Sequence, residues 1–380
     1  MNTVDLTKLA SNLFKMASHR TMKIAESLYS KGLISYPRTE TKVYHPSIDL
    51  KKLFERQAEN DFYSGYVQKV IGRLQAPLNG TKDDKAHPPI HPCKAQSRFD
   101  DPDELKIYDL IARHFMAQIS PDAQGINTHV ELQFGDEFFH AEALRVTDLG
   151  FLEVYTFDTW KSGRPFPGEW QAGSLVRVSD IKFSESKTTP PLLLSEAELI
   201  TKMDFHNIGT DATMHEHIKT VQEREYAIKE RDLRFKPTML GMALIQGFRA
   251  YENAQHLAKP DLRSRLESDL ARIARGELQK REFLDHYVNE MKGIFLRLTD
   301  QPGILDSFIR GVRAEETAGG GSDEPETGGG GGGRGGRGRR RGRGGRVGTN
   351  HATTGRGRSA TNTRRTGRPT RRTTITRVAR

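Results

Sequence analysis

The sequence predicts a multidomain α+β protein that ends in a disordered Arg/Gly tail. Three observations carry this. Apolar residues recur at helical spacing at the start of the chain and again after residue 190, with a period-two alternation between them. The last fifty residues hold almost no apolar side chains. At 380 residues the chain exceeds the roughly 100–200 that one domain commonly holds. The expected division is a helical unit over 1–122, a β-rich unit over 123–187, a second helical unit over 188–312, and a linker and tail over 313–380.

Residues 6–17 place Leu6, Leu9, Leu13 and Met16 on one helical face, and residues 20–31 do the same with Met22, Ala25, Leu28 and Tyr29. Two short helices with a tight turn predict a helix-turn-helix. Gly32 is placed to end the second helix, and Leu33 and Ile34 then run extended into Tyr36, because a residue before proline is pushed out of the α region. In "DDKAHPPIHP", residues 83–92, three prolines exclude a regular helix, so His87 and His91 are not a helical i, i+4 metal pair. Further on, Val130, Leu132 and Phe134 alternate with His129, Glu131 and Gln133, and Gly135-Asp136 offers a two-residue turn. Residues 150–157 and 174–183 read as further strands of an antiparallel sheet. After Pro190 and Pro191, Ser195 with Glu198 forms a capping box, and helices are expected to continue to about residue 310.

Composition narrows the function. The single cysteine, Cys93, excludes a disulfide framework and any cysteine-built zinc module, so no zinc is expected. The first thirty residues lack an apolar signal core, and no run approaches the roughly 18 apolar residues of a membrane span. A soluble intracellular protein without membrane contact is the expectation. Between Arg334 and Arg380 stand sixteen arginines, no lysine and no acid, so the formal charge of +10 belongs to the tail and residues 1–333 are net acidic. Arginines on a glycine chain, here Arg334, Arg337, Arg339, Arg340, Arg341, Arg343 and Arg346, pair with phosphates and stack on bases. Single-stranded DNA or RNA is the expected partner, with a solubilising or nuclear-import tail as the alternative.

Three stretches bear chemistry. A phenol with a pKa of about 10 is a weak nucleophile unless a cation favours its anion or a base takes its proton. In "ISYPRTET", Tyr36 and Arg38 share one face of an extended segment, so both can reach one phosphate. Taken alone, Tyr-Pro-Arg better suits a packed surface turn with a solvated charge. His87 sits in a proline-stiffened loop suited to proton transfer or phosphate contact, and the same loop suits a plain connector. In "IGTDATMHEHI", Thr210 and Asp211 are good N-caps, which puts Thr213 in the first turn of a helix, where free N–H groups attract anions.

These words together resemble the carboxy-terminal half of a type IA DNA topoisomerase of the topoisomerase III group, nearest its eukaryotic alpha form. The matching stretches are "TMKIAESLYSKGLISYPRTET", "DDKAHPPIHP", "DAQGINTHVE", "TTPPLLLSEAELI", "IGTDATMHEHI" and "LGMALIQGF", spread over roughly residues 1–300. The resemblance implies a toroidal core, with a CAP-like helical domain carrying Tyr36, a β-rich arch and a helical DNA-groove domain. It implies ATP-independent cleavage, strand passage and religation of single DNA strands through a 5′-phosphotyrosyl bond at Tyr36. Arg38 would polarise the scissile phosphate, His87 would assist there, and Thr213 would contact the strand. It also implies magnesium held by a Toprim domain, a nuclear location, and a RecQ-type helicase and an OB-fold protein as partners.

Several features depart from that pattern. The family's Asp-x-Asp-x-Glu magnesium cluster does not occur, since "DDPDEL" at residues 100–105 has the wrong spacing. The expectation is therefore a fragment or truncated gene product lacking the Toprim domain, inactive by itself, with a non-catalytic single-strand-binding module as the alternative. Cys93 replaces a usual threonine, Asn207 a usual glycine, and the Arg/Gly tail stands where relatives carry zinc-binding cysteines.

Overall fold

The structure is a computed structural model that describes residues 1–164, 166, 171–209, 213–230, 233–251, 254–319 and 373–377. Its first unit is helical. Helices α1 (Thr3–Phe14) and α2 (Ser18–Ser30) form the expected pair, and α3 (Leu50–Arg56) and α4 (Ser64–Val70) lead to the long α5 (Pro102–Gln118). The apolar stripe of α5 is the centre of the main core: Ile107, Tyr108, Leu110, Ile111, Phe115 and Met116 are wholly inaccessible, packed with Leu6, Leu28, Ile34 and Phe54. Three of the four acidic residues of "DDPDEL" have local work. Asp101 caps α5, while Glu104 accepts from Lys31 and Ser27 and Asp103 pairs with Arg20 and Lys106.

Strands β1 (Gln124–Phe134) and β2 (Glu137–Asp148) make the predicted antiparallel hairpin, turning through Gly135-Asp136 with Gly135 at φ +63°. The rest of the predicted sheet differs. Residues 150–153 form a 3-10 turn rather than a strand. Leu152 and Val154 are buried, and Phe151, Tyr155 and Phe157 pack on the helical core, so burial there overrides their β-like alternation. Residues 174–183 carry no strand, because no strand of the described sheets pairs with them, and Leu175 and Phe183 stand exposed. An alternating pattern becomes a strand only where an edge satisfies its backbone groups.

The second helical unit opens with α6 (Glu196–Phe205), whose Ser195–Glu198 capping box is formed as expected. Helix α7 (Met214–Glu223) and a small hairpin of β3 (Ala227–Lys229) with β4 (Phe235–Pro237), absent from the sequence reading, complete a cluster with Val4, Ile200, Met214, Ile218 and Phe235. Helices α8 (Met239–Ala250), α9 (Pro260–Ala274), α10 (Lys280–Asp300) and α11 (Pro302–Gly319) follow, with Tyr251, Ala254 and Ile294 forming a further small core. Helix α11 passes the predicted end near 310, and β5 (Thr373–Arg377) pairs with β1, so two short pieces of the segment expected to be disordered are regular. The candidate tail arginines lie outside the described residues. Among the described residues, no helix is long and apolar enough to cross a membrane.

Candidate active site

Tyr36 is held by backbone on both sides. Helix α2 ends in a Schellman motif: Gly32, at φ +68°, donates its N–H to Tyr29 O and Leu33 donates to Leu28 O, which turns the chain out of the helix. The chain then pairs with the proline-rich loop. Ile34 and Pro92 form an antiparallel bridge, the Ser35 N–H donates to His91 O at 2.9 Å, and the Cys93 N–H donates to Leu33 O at 2.8 Å. Beyond the tyrosine, the Thr3 hydroxyl donates to Pro37 O at 2.7 Å and the Thr39 N–H donates to that hydroxyl at 2.9 Å. The start of α1 thus clamps the segment that follows Tyr36.

This pairing brings two of the sequence candidates together. The Tyr36 ring lies 4.8 Å from the His87 ring, centroid to centroid, and 5.3 Å from Tyr29 in an edge-on arrangement. Asp84 fixes His87. Its carboxylate accepts the N–H groups of Ala86 and His87 at 2.8 and 2.9 Å and lies 3.8 Å from the imidazole Nδ1. Burial alone would raise the Asp84 carboxyl, but the N–H groups of His87 and Ala86 and the Thr41 hydroxyl outweigh it and hold the group down at about 2. Arg38 is part-buried and its guanidinium clasps Glu26 on α2, with Nε donating to Oε1 at 2.8 Å. As site residues, Glu26, Tyr29 and Asp84 were not singled out by sequence reasoning. The signal for the first two is their i, i+3 spacing on the helix that ends at the Tyr36 turn.

The two histidines of "AHPPIHP" part company. His91 is buried against Tyr44 and Phe115, its Nδ1 is 2.7 Å from Pro89 O, and burial lowers its pKa. It is a packing residue. Thr213 is the N-cap position of α7 rather than a first-turn residue, and Asp211 lies outside the described residues. Behind Thr213, His215 is buried, and its pKa is lowered by that burial and then by the nearby Arg38 charge.

A joint between the helical units supports this arrangement. Ser18, first residue of α2, donates its N–H at 2.6 Å and its hydroxyl to the buried Glu196 carboxylate of α6, which also accepts from Lys229. One carboxylate thus caps the helix carrying Glu26 and Tyr29.

The fold matches full-length topoisomerase I from Thermotoga maritima with a TM-score of 0.58 at 20% identity, over 78% of this chain and 49% of that one. It is the mixed helix-and-sheet fold of a type IA topoisomerase. Residues 1–285 match the family described as DNA topoisomerase. The chain is 40% identical to DNA topoisomerase 3 of Caenorhabditis elegans over 323 residues, 84% of this chain and 42% of the relative. It is 40% identical to human DNA topoisomerase 3-alpha over 310 residues, 81% of this chain and 30% of the relative. The chain belongs to the DNA topoisomerase family, as a type IA topoisomerase III-like protein. It spans less than half the length of these two relatives.

Proposed function

We propose that this chain supplies the strand-cleaving tyrosine of a type IA topoisomerase III-like enzyme acting on single-stranded DNA without ATP. The Tyr36 oxygen attacks a backbone phosphorus, forming a 5′-phosphotyrosyl bond while the bond from phosphorus to the 3′-oxygen breaks. The phenol proton passes to His87, oriented by the ionised Asp84, and from there to the departing 3′-oxygen; religation runs the same path backwards. Arg38, held by Glu26, neutralises charge on the non-bridging oxygens. The observation that carries this reading is the tilted contact of the His87 and Tyr36 rings at 4.8 Å, with Asp84 behind His87.

The magnesium that the family implies does not fit these residues. Magnesium takes oxygen ligands, whereas the one group of described side chains with metal-ligand spacing holds two imidazoles and a single carboxylate. No step here is routed through it. What supports one second reading, a module that grips single strands through its groove and Arg/Gly tail without cleaving, is the run of arginines over residues 334–380. What supports strand passage within a toroid, a nuclear location, and a helicase and OB-fold protein as partners is the family resemblance.

The deciding experiment joins the chain behind the part of the Caenorhabditis elegans relative that it does not span. The fusion is incubated with an end-labelled single-stranded oligonucleotide and run on a denaturing gel. A covalent adduct that disappears with Tyr36→Phe supports cleavage. Strand binding without any adduct in the fusion supports the module.

A further inference from the structure

His19, His215 and Glu216 meet where the start of α2 faces the start of α7, and their ligand atoms all lie within 4.8 Å of one another. We propose that they form a binding site for a divalent transition metal of the zinc class, bridging the two helical units. Glu216 Oε1 is 3.5 Å from His19 Nδ1 and 3.4 Å from His215 Nε2. A tetrahedral ion with bonds of about 2.0–2.1 Å to nitrogen and oxygen sets its ligands about 3.4 Å apart, so both measured edges have the required length.

The surroundings suit an ion. His19 Nδ1 is buried and faces Glu216 Oε1 at 3.5 Å without making a hydrogen bond. The His215 side chain is 3% exposed, against 42% for His19 and 50% for Glu216. The site is closed on the protein side and open to solvent on the other, which is the arrangement of three protein ligands and a water. Two imidazoles select a zinc-class ion over magnesium or calcium. Both helices present their N-terminal ends, whose partial positive charge opposes a cation, and the Glu216 carboxylate offsets it. The sequence-level expectation of no zinc came from counting cysteines, and this set uses none. An ion here fastens α2, which carries Glu26 and Tyr29, onto α7. The site does not depend on the phosphotyrosyl reading.

The test uses the full chain, free of any affinity tag and stripped with a chelator. Cobalt is titrated in while the visible absorption of tetrahedral cobalt is followed, and zinc is then added to displace it. One ion per chain is expected. His19→Ala and Glu216→Gln alter half-exposed side chains that the core does not need, and each should weaken binding at least about tenfold. His45→Ala, at an exposed histidine elsewhere, should leave it unchanged. Zinc should raise the melting temperature of the parent and not of the two site variants. Absence of the cobalt band in the parent, or equal affinity in parent and site variants, overturns the proposal and makes the trio an ion-pair cluster.

Discussion

The His87 imidazole lies against the Tyr36 ring at 4.8 Å, and the His87 backbone N–H donates at 2.9 Å to the carboxylate of Asp84, three residues earlier in its own loop. Tyr36 and His87 belong to segments about fifty residues apart, joined by the pairing of residues 33–35 with 91–93. The proposed chemistry therefore rests on a short backbone match.

Tyr36→Phe is expected to abolish the covalent adduct in the fusion while leaving oligonucleotide affinity within about twofold, since the ring contacts with Tyr29 and His87 persist without the hydroxyl. Arg38→Lys keeps the charge but loses the planar fork that holds Glu26, so cleavage should fall to an intermediate rate. Adduct formation on a denaturing gel and a filter-binding assay check both.

His87→Ala should slow single-turnover cleavage by about 10²–10⁴-fold with an unchanged melting temperature, because its side chain is exposed on one face and contributes little to the core. A packing role would show the opposite, a lowered melting temperature and a normal rate.

The pH response of the loop follows from Asp84. Its carboxyl is held at about 2, below the ordinary value of 3.8, so the folded loop favours the ionised form. The loop stability this contributes is complete above pH 4 and is lost as pH falls through about 2. NMR signals of residues 84–87 should shift or broaden across that window, and Asp84→Asn should remove the transition.

Breaking the joint between the units should be costly. Glu196→Ala leaves Lys229 part-buried without its partner and α2 without its cap, and should destabilise by about 3–5 kcal/mol. Ser18→Ala removes one hydroxyl bond and should cost about 1 kcal/mol. Urea midpoints at constant slope measure both.

For the tail, deleting residues 328–380 should weaken single-strand binding and flatten its salt dependence. If roughly five arginines engage, the slope of log affinity against log salt should change by about three. An unchanged slope would assign the arginines to import, protein contacts or solubility.

Features that depend on near neighbours in the chain were legible from residue order alone. The α1–α2 pair, the Gly32 stop, the Gly135-Asp136 turn and the Ser195 capping box are set by spacing, φ freedom and local hydrogen bonds, all within a few residues. Residue order also marked Tyr36, Arg38 and His87. Their surroundings come from contacts made on folding: Glu26 against Arg38, Asp84 behind His87, the burial of His91, and Glu196 capping α2 from another unit. Folding equally decided that residues 150–157 turn inward and 174–183 stay unpaired, because a strand needs a partner edge and an apolar side chain goes where a core accepts it. Periodicity reports which face is apolar. It carries no record of the distant segment that face will meet.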